Sequence, residues 1–173
     1  MENIPLNIPL SKFLIIESLL SYMKYRHFSD IRITEIVKKA GVSRKTFYRH
    51  FISKENILEI QFDIIYQEYI NNTKSVNSYE EIIELYFKTM SNHIEFLKLI
   101  NVHHLSNIAI KKSEHYLSTL NQNPRYKTLD KPITAYCETF VATGLWHMFC
   151  KWLNSGRKES TQEMAAIYLR VAR

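Results

Sequence analysis

Apolar residues along this chain recur mostly three and four positions apart, the spacing of an amphipathic helix. Phe13, Ile16, Leu20 and Met23 predict a first helix that begins after Pro9, with Ser11 near its start. Ile33, Ile36, Val37 and Ala40 share one face of a second helix, which stops at Gly41. Glycine there is free to take the left-handed conformation of a tight turn. Ser43 is placed to cap a third, short helix through Phe51, and Ser53 to cap a fourth that runs to about Asn71. The fourth has two apolar stripes, one of Leu58, Phe62, Ile65 and Tyr69 and one of Ile57, Ile60 and Ile64. A helix apolar on two sides is expected to lie buried between two bodies. Residues of about 53–71 are therefore read as a connector, joining a domain of residues 1–54 to one of residues 55–173.

The pattern continues to the end of the chain. Thr73–Ser78 is polar and reads as a loop. Ile82, Ile83, Tyr86, Phe87, Met90, Ile94 and Leu97 share the face of a fifth helix, and a sixth is expected over about 101–119 with Leu105, Ile108, Ala109 and Tyr116. Asn121–Asp130, marked by Pro124, is the longest expected loop. Pro132 suits the first turn of a long helix that ends at Asn154-Ser155-Gly156. Ser160-Thr161-Gln162-Glu163 is a capping box opening the last helix. The expected class is all-α, with about nine helices.

Composition supports that class. Three glycines and four prolines are too few turn formers for a β-sandwich, and no glycine-rich phosphate loop is present. The net charge of +6 is unevenly spread. Residues 1–52 carry nine Lys/Arg against four Asp/Glu, while the remainder is nearly balanced. A basic end on a neutral body suits a polyanion partner, although a solvated basic face would look the same. Cys137 and Cys150, about 20 Å apart if they share one straight helix, are too distant for a disulfide and read as core residues of a reducing cytoplasm. Met1–Leu10, with an acid, two Asn and two Pro, does not resemble a signal peptide, and no apolar run reaches the length of a membrane span.

The most informative stretch is Ile33–Lys54, ITEIVKKAGVSRKTFYRHFISK. An apolar-faced helix, a turn with glycine and a short basic helix form the helix-turn-helix pattern. Ile36, Val37, Ala40, Val42, Phe47 and Phe51 are placed to pack the two helices together, leaving Arg44, Lys45, Tyr48 and Arg49 on the opposite face. Such a helix fits the major groove of B-DNA, where Arg and Lys reach guanine edges or phosphates. Lys54 opens the next helix, where an ammonium and a helix N-terminus can share one phosphate.

These residues resemble the DNA-binding domain of the TetR family of bacterial transcriptional regulators. The resemblance runs gaplessly through Ile36, Val37, Ala40, Gly41, Val42, Ser43, Phe47, Tyr48, His50, Phe51, Ser53, Lys54, Glu55, Ile57 and Leu58. It is strong over residues 10–60. Gly144, Trp152, Gly156, Ser160 and Glu163 are similar to the last helix pair of a TetR-type domain, and residues 65–130 match nothing comparable. The resemblance implies an amino-terminal three-helix DNA-binding domain, joined by the connector helix to a helical ligand-binding and dimerisation domain. It implies operator contacts at Ser43, Arg44, Lys45 and Thr46, at Tyr48, Arg49 and His50, and at Lys54. The family usually has Thr where this chain has Arg32, with Thr34 two residues on; both are candidate phosphate contacts, and Asp30 is expected to help cap the second helix.

In the carboxy-terminal domain, Tyr86, Phe87, Met90, His103, Tyr116, Phe140 and Trp146 are candidates for an effector pocket, against the plainer reading of ordinary core packing. The long helix has one apolar side with Ile133, Tyr136, Cys137, Phe140, Val141 and Met148 and another with Ala135, Ala142, Trp146, Phe149 and Leu153. One side is expected to pack its own domain and the other a partner. The family implies a four-helix dimer interface, for which Ala135, Ala142, Phe149, Leu153, Met164, Tyr168 and Val171 are the candidates. No histidine or cysteine spacing fits a metal site, and no catalytic constellation or cofactor motif is visible. The expectation is therefore not an enzyme. It is a cytoplasmic homodimeric repressor, binding a near-palindromic double-stranded operator and released by an unknown small molecule, without cofactor, metal or membrane. The alternative is a co-regulator or activator of the same shape acting through a protein partner.

Overall fold

The structure, a computed structural model, describes residues 8–76, 78–120 and 130–172. Most of the loop expected over 121–130, and most of the leader stretch 1–10, lie outside the described residues. Those residues form nine α-helices, one short 3-10 turn and no strand. The helices are α1 (Leu10–Met23), α2 (Ile33–Ala40), α3 (Arg44–His50), α4 (Lys54–Thr73), α5 (Tyr79–Asn92), α6 (Ile94–Val102), α7 (Ser106–Leu120), α8 (Lys131–Asn154) and α9 (Thr161–Val171), with the 3-10 turn at Phe28–Asp30. The chain divides into two compact units, Met1–Ile60 and Gln61–Arg173.

The first unit packs α1 against α2 and α3. Ile15, Ile16, Leu19, Phe28, Ile31, Ile36, Val37, Phe47, Phe51, Ile57 and Leu58 are its buried core. Gly41 takes φ +65° and ψ +31°; its N–H reaches the Lys38 carbonyl, and Val42 N–H reaches the Val37 carbonyl at 3.0 Å. That left-handed residue closes α2 and turns the chain into α3 within three residues.

The second unit packs α5 against α9 and α7 against α8. Its core includes Phe62, Ile65, Tyr66, Tyr69, Tyr86, Phe87, Leu97, Leu145, Trp146, Phe149 and Tyr168. The capping box forms as the sequence predicts: Glu163 N–H donates to Ser160 Oγ at 3.2 Å, and Ser160 N–H donates to Glu163 Oε2 at 2.7 Å.

Two helix boundaries differ from the expected ones. The fifth helix, expected to run through Leu97, breaks at His93 (φ −114°, ψ +28°) into α5 and α6. Glu68 of α4 holds the break, taking His93 Nε2 at 2.7 Å and Asn92 Nδ2 at 3.2 Å. The sixth, expected from about 101, starts at Ser106, because His104 adopts φ +56° and ends α6. Leu105 N–H then closes on the Ile100 carbonyl at 3.0 Å.

Candidate nucleic-acid interface

The third helix is seated by its own sequence. Ser43 Oγ accepts the Thr46 N–H at 3.0 Å, satisfying one of the orphan donors of the helix start. Phe47 is fully buried and its ring lies 5.8 Å from that of Phe51, also buried. Burial of one such ring contributes about 1.5–3 kcal/mol, so the inner face is firmly anchored. The outer face presents Arg44, Lys45, Tyr48 and Arg49, all exposed. Thr46 is half-buried, with its hydroxyl 3.0 Å from Ser43 Oγ. Seven residues make a rod about 10 Å long, able to enter a groove about 12 Å wide.

The far end of α3 is tied to α1. His50 Nε2 and Ser11 Oγ share a hydrogen bond at 2.8 Å. Partial burial, then the nearby charges of Arg49 and Lys12, hold the His50 imidazole below its ordinary pKa. His50, a candidate operator contact, thus has one ring nitrogen engaged within the unit.

Arg32 and Thr34 are both exposed at the start of α2. Arg32 offers no side-chain acceptor, and the cap comes from Glu35, a residue absent from the sequence candidates. Its Oε2 accepts the Arg32 N–H at 2.9 Å. Arg26 braces the same carboxylate, at 2.6 Å to Oε1, and also donates to the Asp30 carbonyl at 2.7 Å. The hydrogen bond from Arg26, then that from the Arg32 N–H, holds the Glu35 carboxyl below its usual range. Asp30, expected to cap, instead accepts from Ser29 Oγ at 3.0 Å. The signal for Glu35 was available: an acid at the third position of a helix reaches back to the cap N–H.

Lys54 is the most engaged of the candidates. Its Nζ donates to the carbonyls of Phe28 at 2.6 Å, Ser29 at 3.0 Å and Ile31 at 3.0 Å, and lies 4.5 Å from the Phe28 ring centroid. An ammonium has three donors, and all three are committed here. Lys54 fastens the 3-10 turn before α2 to the start of α4.

In the second unit, Tyr86, Phe87, Met90 and Trp146 are fully buried, Tyr116 is buried and His103 half-buried. Phe140 is 63% exposed, so it does not join them in an interior pocket. Of the dimer candidates, Ala142, Phe149, Met164 and Tyr168 are buried within their own protomer, which leaves them no face for a partner; Leu153 is half-buried, and Ala135 and Val171 are exposed. The large apolar residues of α8 and α9 open to solvent among the described residues are Ile133, Tyr136, Phe140, Ile167 and Val171. Inside the unit, Tyr86 Oη, Ser113 Oγ and Trp146 Nε1 are buried without a hydrogen-bond partner. Such groups cost about 1–3 kcal/mol each when left unsatisfied.

Residues 26–59 match the family described as bacterial regulatory proteins, tetR family. No curated protein matches the chain in sequence. Among solved structures, Lin0861 from Listeria innocua is similar at TM-score 0.79 and 20% identity, over 99% of this chain and 96% of its own. A TetR transcriptional regulator from Streptococcus agalactiae is similar at 0.66 and 18%, over 93% and 92%. The dihydroxyacetone kinase operon activator DhaS is similar at 0.56 and 16%, over 93% of each chain. At such identities the likeness concerns the fold. The matched segment contains the whole helix-turn-helix, and over it the chain resembles the TetR family of transcriptional regulators, whose members bind DNA and function as dimers. No helix among the described residues is long and apolar enough to cross a membrane.

Tyr48 and Lys54 are expected to respond differently to removal. Tyr48→Ala weakens binding to duplex DNA and leaves the thermal midpoint unchanged. Lys54→Ala strands three carbonyls and costs about 1.5–3 kcal/mol of stability, read by urea unfolding. Equal stability of the two variants contradicts the strut. His50 supplies a pH dependence. Its folded pKa lies below the unfolded value near 6.5, so the unfolded chain takes up the proton first as pH falls. This contribution is complete above about pH 6.5 and declines below it. The unfolding midpoint of His50→Gln is expected to fall less than that of the wild type between pH 7.5 and 5.5; parallel curves contradict this assignment.

Proposed function

We propose that this protein is a cytoplasmic transcriptional repressor that binds a near-palindromic operator as a homodimer and is released by a small-molecule effector held in its carboxy-terminal domain. The domains are taken as residues 1–54 and 55–173. The observation that carries the reading is the division of α3 into a buried face, Phe47, and an exposed face, Arg44, Lys45, Tyr48 and Arg49. The buried face holds the helix rigid while the exposed one meets the groove. Arg44 and Lys45 are assigned to base edges or phosphates, Tyr48 and Arg49 to the flanking phosphates, and Arg32 and Thr34 to the backbone at the start of α2. Ser43, Thr46, His50 and Lys54 mainly position these groups through the contacts described above. An effector releases the operator only if it binds one arrangement of the dimer better than the other.

The exposed stripe of Ile133, Tyr136 and Phe140, with Ile167 and Val171, is assigned to the dimer surface. Tyr136 is 79% exposed, and large apolar residues spaced at i, i+3 and i+7 are costly to leave in water. A second reading, an activator or co-regulator that works through a protein partner, is supported by the similarity to the activator DhaS.

Selection from a randomised duplex library tests the first reading. The expected outcome is a two-half-site palindrome with centres one helical turn apart, bound with an affinity that falls steeply with salt, by about 0.9 log units per log unit for each phosphate neutralised. Absence of any enriched sequence favours the partner-dependent reading. For the dimer, Tyr136→Glu combined with Phe140→Glu is expected to yield a folded monomer in sedimentation velocity; a persisting dimer places the interface elsewhere.

A further inference from the structure

Tyr86 Oη, Ser113 Oγ and Trp146 Nε1, buried in the second unit without a hydrogen bond, are not scattered. Tyr66 of α4, fully buried, lies close enough to both Tyr86 of α5 and Ser113 of α7 for their hydroxyls to influence its ionisation. Even so, neither Tyr86 Oη nor Ser113 Oγ reaches hydrogen-bonding geometry. Phe62, one turn before Tyr66, stands 6.2 Å from the Trp146 ring of α8, and Cys150, one turn beyond Trp146, lies near Tyr86. Phe62 and Tyr66, on successive turns of α4, thus connect the Trp146 indole on one side with the Tyr86 and Ser113 hydroxyls on the other through one run of buried aromatic side chains. Burial drives the Tyr66 and Tyr86 phenols well above their ordinary pKa, so both stay protonated at neutral pH. Trp146 can only donate, and Tyr86 and Ser113 have donors to offer.

One ion pair lies beside this cluster. Lys112 Nζ lies 2.7 Å from Asp63 Oδ1, and Tyr116, stacked on Tyr66 at 5.0 Å, donates to the same oxygen at 3.0 Å. Lys112 is therefore engaged by Asp63 and not free to neutralise a buried anion, whose desolvation the neutral donors would have to offset.

We infer that this cluster of Tyr86, Ser113 and Trp146 is the polar end of a ligand site for an uncharged, largely apolar molecule carrying a carbonyl-type acceptor. The inference rests on the reading of this unit as an effector domain and specifies the chemistry of the effector. The acceptor takes the Trp146 N–H and the Ser113 hydroxyl, with the Tyr86 hydroxyl beside them, and the apolar part lies against Phe62 and its aromatic neighbours.

The test uses the full-length protein and four probes. Acetophenone and 2-heptanone carry the carbonyl, isopropylbenzene has a similar shape without an acceptor, and benzoate adds a negative charge. Tryptophan fluorescence and the thermal midpoint are read in titrations of each. At least one ketone is expected to bind, raising the midpoint, and at least tenfold more tightly than isopropylbenzene or benzoate. Trp146→Phe and Ser113→Ala are each expected to weaken ketone binding at least fivefold; Ser113→Ala is the variant least able to disturb folding. Equal binding of isopropylbenzene, tighter binding of benzoate, or no binding of either ketone overturns the inference. Operator affinity measured in the same titration separates the two readings: a ketone that binds but leaves the operator complex intact upholds the site and removes its role as effector.

Discussion

Everything in this chain depends on one helix serving two cores. α4 contributes Ile57 and Leu58 to the interior of the amino-terminal unit and Phe62, Ile65, Tyr66 and Tyr69 to that of the carboxy-terminal one. A single-faced amphipathic helix has one stripe to bury, and twenty residues whose apolar positions wrap further around the axis are needed to serve both. The polar positions of the same helix are also occupied. Lys54 fastens the turn before α2, Asp63 takes Lys112 and Tyr116, and Glu68 holds the break between α5 and α6. Each unit therefore has α4 built into both its packing and its hydrogen bonding.

Within the amino-terminal unit, the groups expected to face DNA fall into two physical kinds. Arg44, Lys45, Tyr48 and Arg49 are exposed on α3, and Arg32 and Thr34 on the start of α2. Ser43, His50 and Lys54 have polar atoms committed to other parts of the chain, and Glu35 and Arg26 join them as residues that shape the interface without lining α3. A short reading helix has little stability of its own, because helices of this length are marginal in isolation. Its orientation is held by two buried rings, a serine cap and a histidine tether, so its exposed side chains keep one fixed arrangement on the surface of the unit.

The carboxy-terminal unit carries a different tension. Its interior is dense in aromatics, yet three polar groups there lack partners, and its outer surface leaves Tyr136 and Phe140 in water. Both depart from the usual pattern, in which buried polar groups are paired and large apolar side chains are covered.

The sequence by itself determined the helical class, the helix-turn-helix, the caps at Ser43, Ser53 and Ser160 and the stop at Gly41. These follow from local rules of periodicity, capping and conformational freedom that need no distant partner. Only the tertiary structure decided the rest. The break at His93 depends on Glu68, twenty-five residues away. The turn at His104 that follows α6 has no glycine to announce it. Lys54 looks like a surface cation in sequence and becomes a strut because three carbonyls converge on it. The two apolar sides of α8 are alike in composition. What faces inward depends on where α7 and the rest of the unit lie: Ala142, Trp146 and Phe149 of one side fill the core together with Val141 of the other, while Ile133, Tyr136 and Phe140, and Ala135 of the first side, remain outside. Periodicity identifies a face, but burial belongs to whatever packs against it.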